Sequence, residues 1–558
     1  MSIFSATTPA AVRRALLAKT EIALLDVRQE SRFATGHPLF AASFPLGQLE
    51  AQAAERLPRR TVPIVVYGDG AGGGYGGRDG DALAAARRLR ELGYTDVSLL
   101  AGGLAGWTAG GGELFEDVNA PSKAFGELVA ETAGTPSLAA DEVAALLGPA
   151  AGADAGADRT AAAVVVVDAR RFDEYATMSI PTATSVPGAE LALRVRALAP
   201  DPATTVVVNC AGRTRSIIGA QSLINAGLPN RIVALRNGTI GWALAGLELD
   251  HGQTRRAPEV AQETARQAEA AAWAVADRAG VRRLGGVGPL EPAGPFERAD
   301  GPRTVYRFDV RAREEYDRGH RPGFRSAPGG QLVQETDWYA PVRGALIILD
   351  DDGGGRAALT ASWLAQMAWD VAIAGPGLAP TERPGPLRPP APDAPPAPDA
   401  PLASPAAAAD WLRAGQAAVV DVDTSRRFLA GHIPGAAWAL RADLPRPGLL
   451  GRLGRPDRLI LTSSDGCLAA WAAADLSAGA APTRVLALAG GTEGWARSGR
   501  PLESGQGEML SPPLDVYRRP YEGTGIDPAV MQAYLDWEYG LVEQLGRDGT
   551  HGFWVLTG

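Results

Sequence analysis

The sequence predicts an α/β chain of four tandem units, each a parallel sheet with helices on both faces. Three observations carry that expectation. A strand-ending tripeptide recurs at Asp26-Val27-Arg28, Asp168-Ala169-Arg170, Asp309-Val310-Arg311 and Asp421-Val422-Asp423, separated by 142, 141 and 112 residues. Units one, two and four close on Gly102-Gly103-Leu104-Ala105-Gly106-Trp107, Asn237-Gly238-Thr239-Ile240-Gly241-Trp242 and Gly490-Gly491-Thr492-Glu493-Gly494-Trp495. Between these marks, apolar runs of strand length alternate with segments of helical spacing, as βαβ crossovers require. Solenoid modules have far shorter periods, so repeats of this size are separate domains.

The first unit is expected at 1–120, with strands at 22–25, 64–67 and 97–100 and a helix at 82–92 stopped by Gly93. Its central strand leads into Gly68 and the glycine-rich run from Asp69 to Gly77, which has no nucleophile and no following Gly-Lys-Ser/Thr. The second unit, 121–255, has the β-branched run Val206-Val207-Val208, then Asn209 and the loop Cys210-Ala211-Gly212-Arg213-Thr214-Arg215-Ser216. Ile217, Ala220, Leu223 and Ile224 continue it as a helix that Gly227 and Pro229 end. A helical linker follows at 256–300 and a third unit at 301–380, whose central strand runs into Asp350-Asp351-Asp352. Three carboxylates there read as a solvated turn that would repel anions.

A proline- and alanine-rich spacer at 381–400 is expected to be extended. The fourth unit, 401–505, runs from its central strand into Thr462-Ser463-Ser464-Asp465-Gly466-Cys467. Aligning Gly466 with Gly212 puts Ser464 opposite Cys210 and leaves Cys467 as a small packed residue in a helix's first turn. The tail, 506–558, predicts a helix capped by Asp527-Pro528, with Val530, Tyr534, Leu535, Trp537, Leu541 and Leu545 on its apolar face. That face needs a neighbouring domain or a second copy of the chain to cover it.

Composition narrows the function. A net charge of −9 without a basic stripe argues against nucleic acid as a partner. No apolar run is long enough to span a membrane and the first residues lack a signal-peptide core, so the cytoplasm is the default. Two cysteines and five scattered histidines support neither a disulfide framework nor a metal site. Cys210, at the carboxyl edge of a sheet, under a helix N-terminus and beside Arg213 and Arg215, has the surroundings that favour thiolate over thiol.

The Asp-Val-Arg strand ends, Gly431-His432-Ile433-Pro434-Gly435-Ala436, the closing Gly-Gly-x-x-Gly-Trp and the loop from Cys210 to Ser216 together resemble the rhodanese-like family over most of residues 1–505. The resemblance implies a sulfurtransferase with Cys210 as its catalytic residue, carrying sulfur as a persulfide. The implied donor is a small anion such as thiosulfate and the implied acceptor cyanide or a thiol, with a sulfur-relay protein as a further candidate partner. Ala211, Gly212, Arg213, Thr214, Arg215 and Ser216 are the expected substrate-binding loop: amides turned inward as an anion nest, one arginine holding sulfonate oxygens or bracing the loop. No cofactor, metal or general base is expected. Met178-Ser179 stands where the other units have Gly-His, a difference in the scaffold of unit two. Units one, three and four keep the fold without the nucleophile.

Two other classes compete. A cysteine-dependent phosphatase or arsenate reductase needs five residues between cysteine and arginine, and here there are four. A non-enzymatic persulfide carrier, sensor or multi-domain scaffold would keep Cys210 reactive and turn over small donors poorly.

Overall fold

The computed structural model describes residues 4–69, 80–148, 164–284, 302–353, 355–375, 400–454, 456–477 and 483–557. Most of the glycine-rich run of unit one and of the proline-rich spacer lies outside these residues. Among those described, no helix is long and apolar enough to cross a membrane.

Four sheets repeat one order. In unit two the parallel strands lie side by side as Ser137–Leu138, Arg231–Leu235, Thr205–Asn209, Val164–Asp168 and Thr184–Ser185. Units one, three and four place Ile64–Tyr67, Leu346–Asp350 and Arg458–Thr462 at the same central position. All four central strands are buried almost throughout, which is why each reads as an unbroken apolar run rather than an alternation. Unit three also lends Val342–Arg343 antiparallel to Ile22–Asp26 of unit one, so the two sheets are stitched through a strand pairing.

The repeated tripeptide is a clasp. Arg28, Arg170 and Arg311 each fold back on the aspartate two residues earlier, with Nε 2.9, 2.9 and 3.0 Å from its Oδ1. The same guanidiniums donate to the carbonyls of Gly36, Met178 and Gly319. Met178 therefore does with its backbone what Gly36 does, and the missing histidine costs the clasp nothing. His37, His320 and His432 stack on Phe33, Tyr316 and Phe428, four residues before them, as members of the scaffold.

The linker helix, Gln262–Arg278, buries Ala268, Ala272, Val275 and Ala276 and packs on helices Leu191–Leu198 and Arg356–Gln366. It wedges units two and three together rather than lying in solvent. The tail differs from the single helix expected: Gly540 divides it into Pro528–Tyr539 and Leu541–Asp548, and Val530 is exposed. The cap is as read, since the Asp527 side chain accepts from Ala529 N. The apolar face is covered within this chain, by helices Ala120–Ala133 and Gly238–Leu244.

Candidate active site

Strand Thr205–Asn209 ends beside Val164–Asp168 with Asn209 opposite Asp168, and Asn209 Nδ2 donates to Asp168 Oδ2 at 2.8 Å. Cys210 is the next residue. Helix Thr214–Asn225 begins two residues earlier than its apolar spacing suggested, so Thr214 and Arg215 belong to its first turn. Three residues, Ala211 to Arg213, form the connecting loop.

Helix Gly238–Leu244 shapes that loop. Thr239 N donates to Cys210 O at 2.9 Å and Ile240 N to Ala211 O at 3.0 Å. With the carbonyls drawn outward, the amides face the other way. Among the described residues, no backbone carbonyl accepts from the N–H of Ala211, Gly212 or Arg213. The Ser216 backbone N–H and hydroxyl reach the Cys210 sulfur. The closing glycine motif thereby acquires a physical meaning: at Gly238, φ +53°, a Cβ would stand 2.3 Å from Cys210 O. Only glycine lets this helix come close enough to hold the loop.

Cys210 is buried, 2% exposed. Burial pushes its thiol up from the ordinary value, and the Arg215 charge and Ser216 hydrogen bonds oppose without reversing this. Burial thus opposes the ionisation that the helix N-terminus and the two arginines were expected to favour.

Both arginines are committed to carboxylates. Arg215 Nη1 and Nη2 sit 2.8 Å from Glu174 Oε1 and Oε2. Arg213 forks onto Glu127 at 2.7 Å through Nε and Nη2, while Nη1 reaches Tyr539 and Asn237. Arg215 thus braces the loop and lends Cys210 its positive potential. Arg213 ties the loop to helix Ala120–Ala133 and to the tail. Gly126 of that helix would carry a Cβ only 2.8 Å from Thr214 Cγ2, and its absence allows the close packing. Ser216 Oγ lies 2.8 Å from Arg213 O, so its single hydroxyl hydrogen serves either that carbonyl or the Cys210 sulfur.

Sequence reasoning missed Glu174, Glu127 and Glu538. A signal for the first existed: Glu174-Tyr175 recurs as Glu315-Tyr316, and Arg215 as Arg356, at one spacing of 141 residues. Arg356 Nη1 pairs with Glu315 at 2.6 Å, so unit three keeps the ion pair. Glu127 and Glu538 belong to distant segments and left no local trace.

Strand register fixes the comparison between units. Asp26, Asp168, Asp309 and Asp421 lie opposite Tyr67, Asn209, Asp350 and Thr462. The positions matching Cys210 are therefore Gly68, Asp351 and Ser463, one residue away from the expected Asp350 and Ser464. Thr492 N donates to Ser463 O at 2.9 Å, repeating the Thr239 bond to Cys210. Aligning glycines misled because Gly466 sits one position further along the loop than Gly212. Cys467 opens helix Cys467–Ser477 and is exposed, not packed.

The aspartates of unit three are structural rather than a solvated turn. Asp350 pairs with Arg321 at 3.0 Å, Asp351 accepts from Ala357 N at 2.8 Å, and Asp352 pairs with Arg356 at 2.7 Å.

Unit four lacks the clasp, since Asp423 replaces the arginine. Burial pushes Asp421 up to about 7 with no cation beside it. A folded-state value above the unfolded one means that stability is full below the ordinary value of 3.8 and falls as pH rises through 7. Asp421→Asn should remove that loss and stabilise the protein at pH above about 7, by on the order of a few kcal/mol. Thermal unfolding of both forms below and above that window checks it; an equal gain at pH below the ordinary value of 3.8 would disprove the cause.

The Rhodanese-like domain profile matches residues 8–110, 153–245 and 404–498. A crystal structure of thiosulfate sulfurtransferase from Pseudomonas aeruginosa is 53% identical, with TM-score 0.90, covering 99% of this chain and 100% of that one. The Alr3790 protein from Anabaena sp. is 31% identical over 20% of this chain and 83% of that one, with TM-score 0.18. No curated protein matches.

Proposed function

The chain belongs to the rhodanese-like family, and from that premise we propose that it is a thiosulfate sulfurtransferase acting through a Cys210 persulfide. The observation that carries the reading is the loop turned by Gly238–Leu244, with inward amides above a cysteine at its head. Cys210 sulfur attacks the outer sulfur of thiosulfate, the sulfur–sulfur bond breaks and sulfite leaves. A thiophilic acceptor, cyanide or a thiol, takes the outer sulfur and returns Cys210. The loop amides from Ala211 to Ser216 hold the anionic donor and then the terminal sulfur of the persulfide. Arg215 supplies positive potential from its place on Glu174, and Arg213 keeps the loop's shape.

Units one, three and four serve as packing partners on this reading. The phosphatase alternative loses ground because the two terminal nitrogens of Arg215 are on Glu174, not free for phosphate oxygens.

The test is the intact mass after thiosulfate treatment, followed by peptide mapping. One added sulfur, mapping to Cys210, is expected. No added sulfur, or sulfur mapping only to Cys467, would refute the proposal. Steady-state thiocyanate production separates an enzyme from a carrier. Turnover of an aryl phosphate would favour the phosphatase.

A further inference from the structure

The tail roofs the cysteine loop. Helix Pro528–Tyr539 lies against Gly238–Leu244 and Ala120–Ala133, and Tyr534 and Leu535 share a small apolar cluster with Ile240. Gly212 sits directly beneath it. A Cβ there would lie 3.0 Å from Glu538 Oε2 and 3.3 Å from Tyr534 Cε1.

Glu538 is 1% exposed. Tyr534 donates its hydroxyl to Oε1 at 2.8 Å, while Oε2 is buried with no hydrogen-bond partner. An unpartnered carboxylate oxygen in that position costs free energy unless a ligand or a proton completes it. The other carboxylates beside the loop have no such vacancy, because Glu127 and Glu174 have both oxygens in arginine forks.

The charges facing Glu538 are Lys123 and Glu127 from helix Ala120–Ala133, Arg213 and Cys210 from the loop, and Tyr534 from its own helix. Lys123 is held by Asp117 at 2.7 Å and by the faces of Tyr521, Tyr534 and Trp537. Burial pushes Glu538 up to about 8, against the attraction of Lys123. The negative carboxylate in turn disfavours the Cys210 thiolate. Two anions in one buried site are costly, so a Cys210 thiolate is better tolerated beside a carboxylic acid than beside a carboxylate.

We propose that Glu538 is the proton-holding group of this site, taking the Cys210 thiol proton when the sulfur donor arrives and returning it when the sulfur departs. The proposal rests on the Cys210 persulfide reading and deepens it. In the first half, the proton passes from the thiol to the Glu538 carboxylate. The thiolate then bonds to the outer sulfur of thiosulfate, and the electron pair of the broken sulfur–sulfur bond leaves on sulfite. The carboxylic acid now faces an anionic persulfide. In the second half, cyanide bonds to the terminal sulfur, thiocyanate leaves, the Cys210 thiolate is released and Glu538 protonates it. Thiosulfate and cyanide become sulfite and thiocyanate with no net proton change.

The experiment follows the rate of persulfide formation by intact mass across pH, in the full chain and in Glu538→Gln, Glu538→Asp and Tyr534→Phe. The wild-type rate should rise through an inflection at about 8. Glu538→Gln should be slower by about a hundredfold at neutral pH and lose that inflection. Glu538→Asp should keep it, and Tyr534→Phe should move it to higher pH by removing a donor to the carboxylate. A Glu538→Gln profile parallel to wild type would overturn the proposal while leaving the Cys210 reading in place. Absence of sulfur on the wild type would instead overturn the Cys210 reading itself. If Glu538→Gln fails to fold, Tyr534→Phe decides: an unmoved inflection rejects the role.

Discussion

Cys210→Ser should reduce sulfur transfer by on the order of a thousandfold or more, because a serine hydroxyl neither ionises at neutral pH nor forms a persulfide. The fold should tolerate the change, and unit four shows why. Ser463 occupies the same register position, 1% exposed, and accepts from Ala469 N at 3.3 Å as Cys210 accepts from Ser216. An oxygen in the cradle is therefore compatible with its shape. Thiocyanate production by the purified variant measures the loss, and its thermal midpoint measures the fold. The exposed Cys467 remains in this variant. Residual sulfur mapping to Cys467 would reveal a second site, and unchanged turnover would end the assignment of Cys210.

Arg356→Ala should destabilise the protein by about 3–5 kcal/mol, the cost typical of leaving buried charges unpaired. Its guanidinium is 2% exposed at the side chain and meets Glu190 at 2.7 Å, Glu315 at 2.6 Å and Asp352 at 2.7 Å. Glu190 belongs to unit two and the other two to unit three, so this one cation joins the units. An apolar residue of similar length should not rescue the loss, because the carboxylates would still face each other. Adding Glu190→Gln and Glu315→Gln to Arg356→Met should recover part of it, since the three sites share one network. Urea midpoints of the single and combined variants measure this. A loss below about 1 kcal/mol for Arg356→Ala, as for a surface pair, would show the network to be dispensable.

Arg356 also shows what repeat spacing can reveal. Glu174 and Arg215 recur as Glu315 and Arg356 at the interval that separates Asp168 from Asp309, yet the loops between them look unlike. In unit three the pair is present without a cysteine, and Arg356 there also holds Glu190 and Asp352. In unit four the corresponding positions are Arg427 and Leu468, and the pair is gone. The sequence supplied the repeat, the strands and the loop length. It also misplaced the counterpart of Cys210 in unit four by one residue, because a glycine is a weaker register mark than a ladder of backbone hydrogen bonds.

What the sequence by itself determined is local. Strand ends, the position of Cys210 at the end of its strand, the Asp527 cap and the closing glycines follow from short-range periodicity and backbone geometry. The tertiary structure alone decided that Cys210 is buried, that both loop arginines are spoken for, and that Glu538, more than three hundred residues later, lies over Gly212. Those outcomes depend on which faces pack together, and a side chain's charge state follows the dielectric and the partners that packing creates. Nothing in the residues flanking Cys210 encodes a carboxylate brought to it by the far end of the chain.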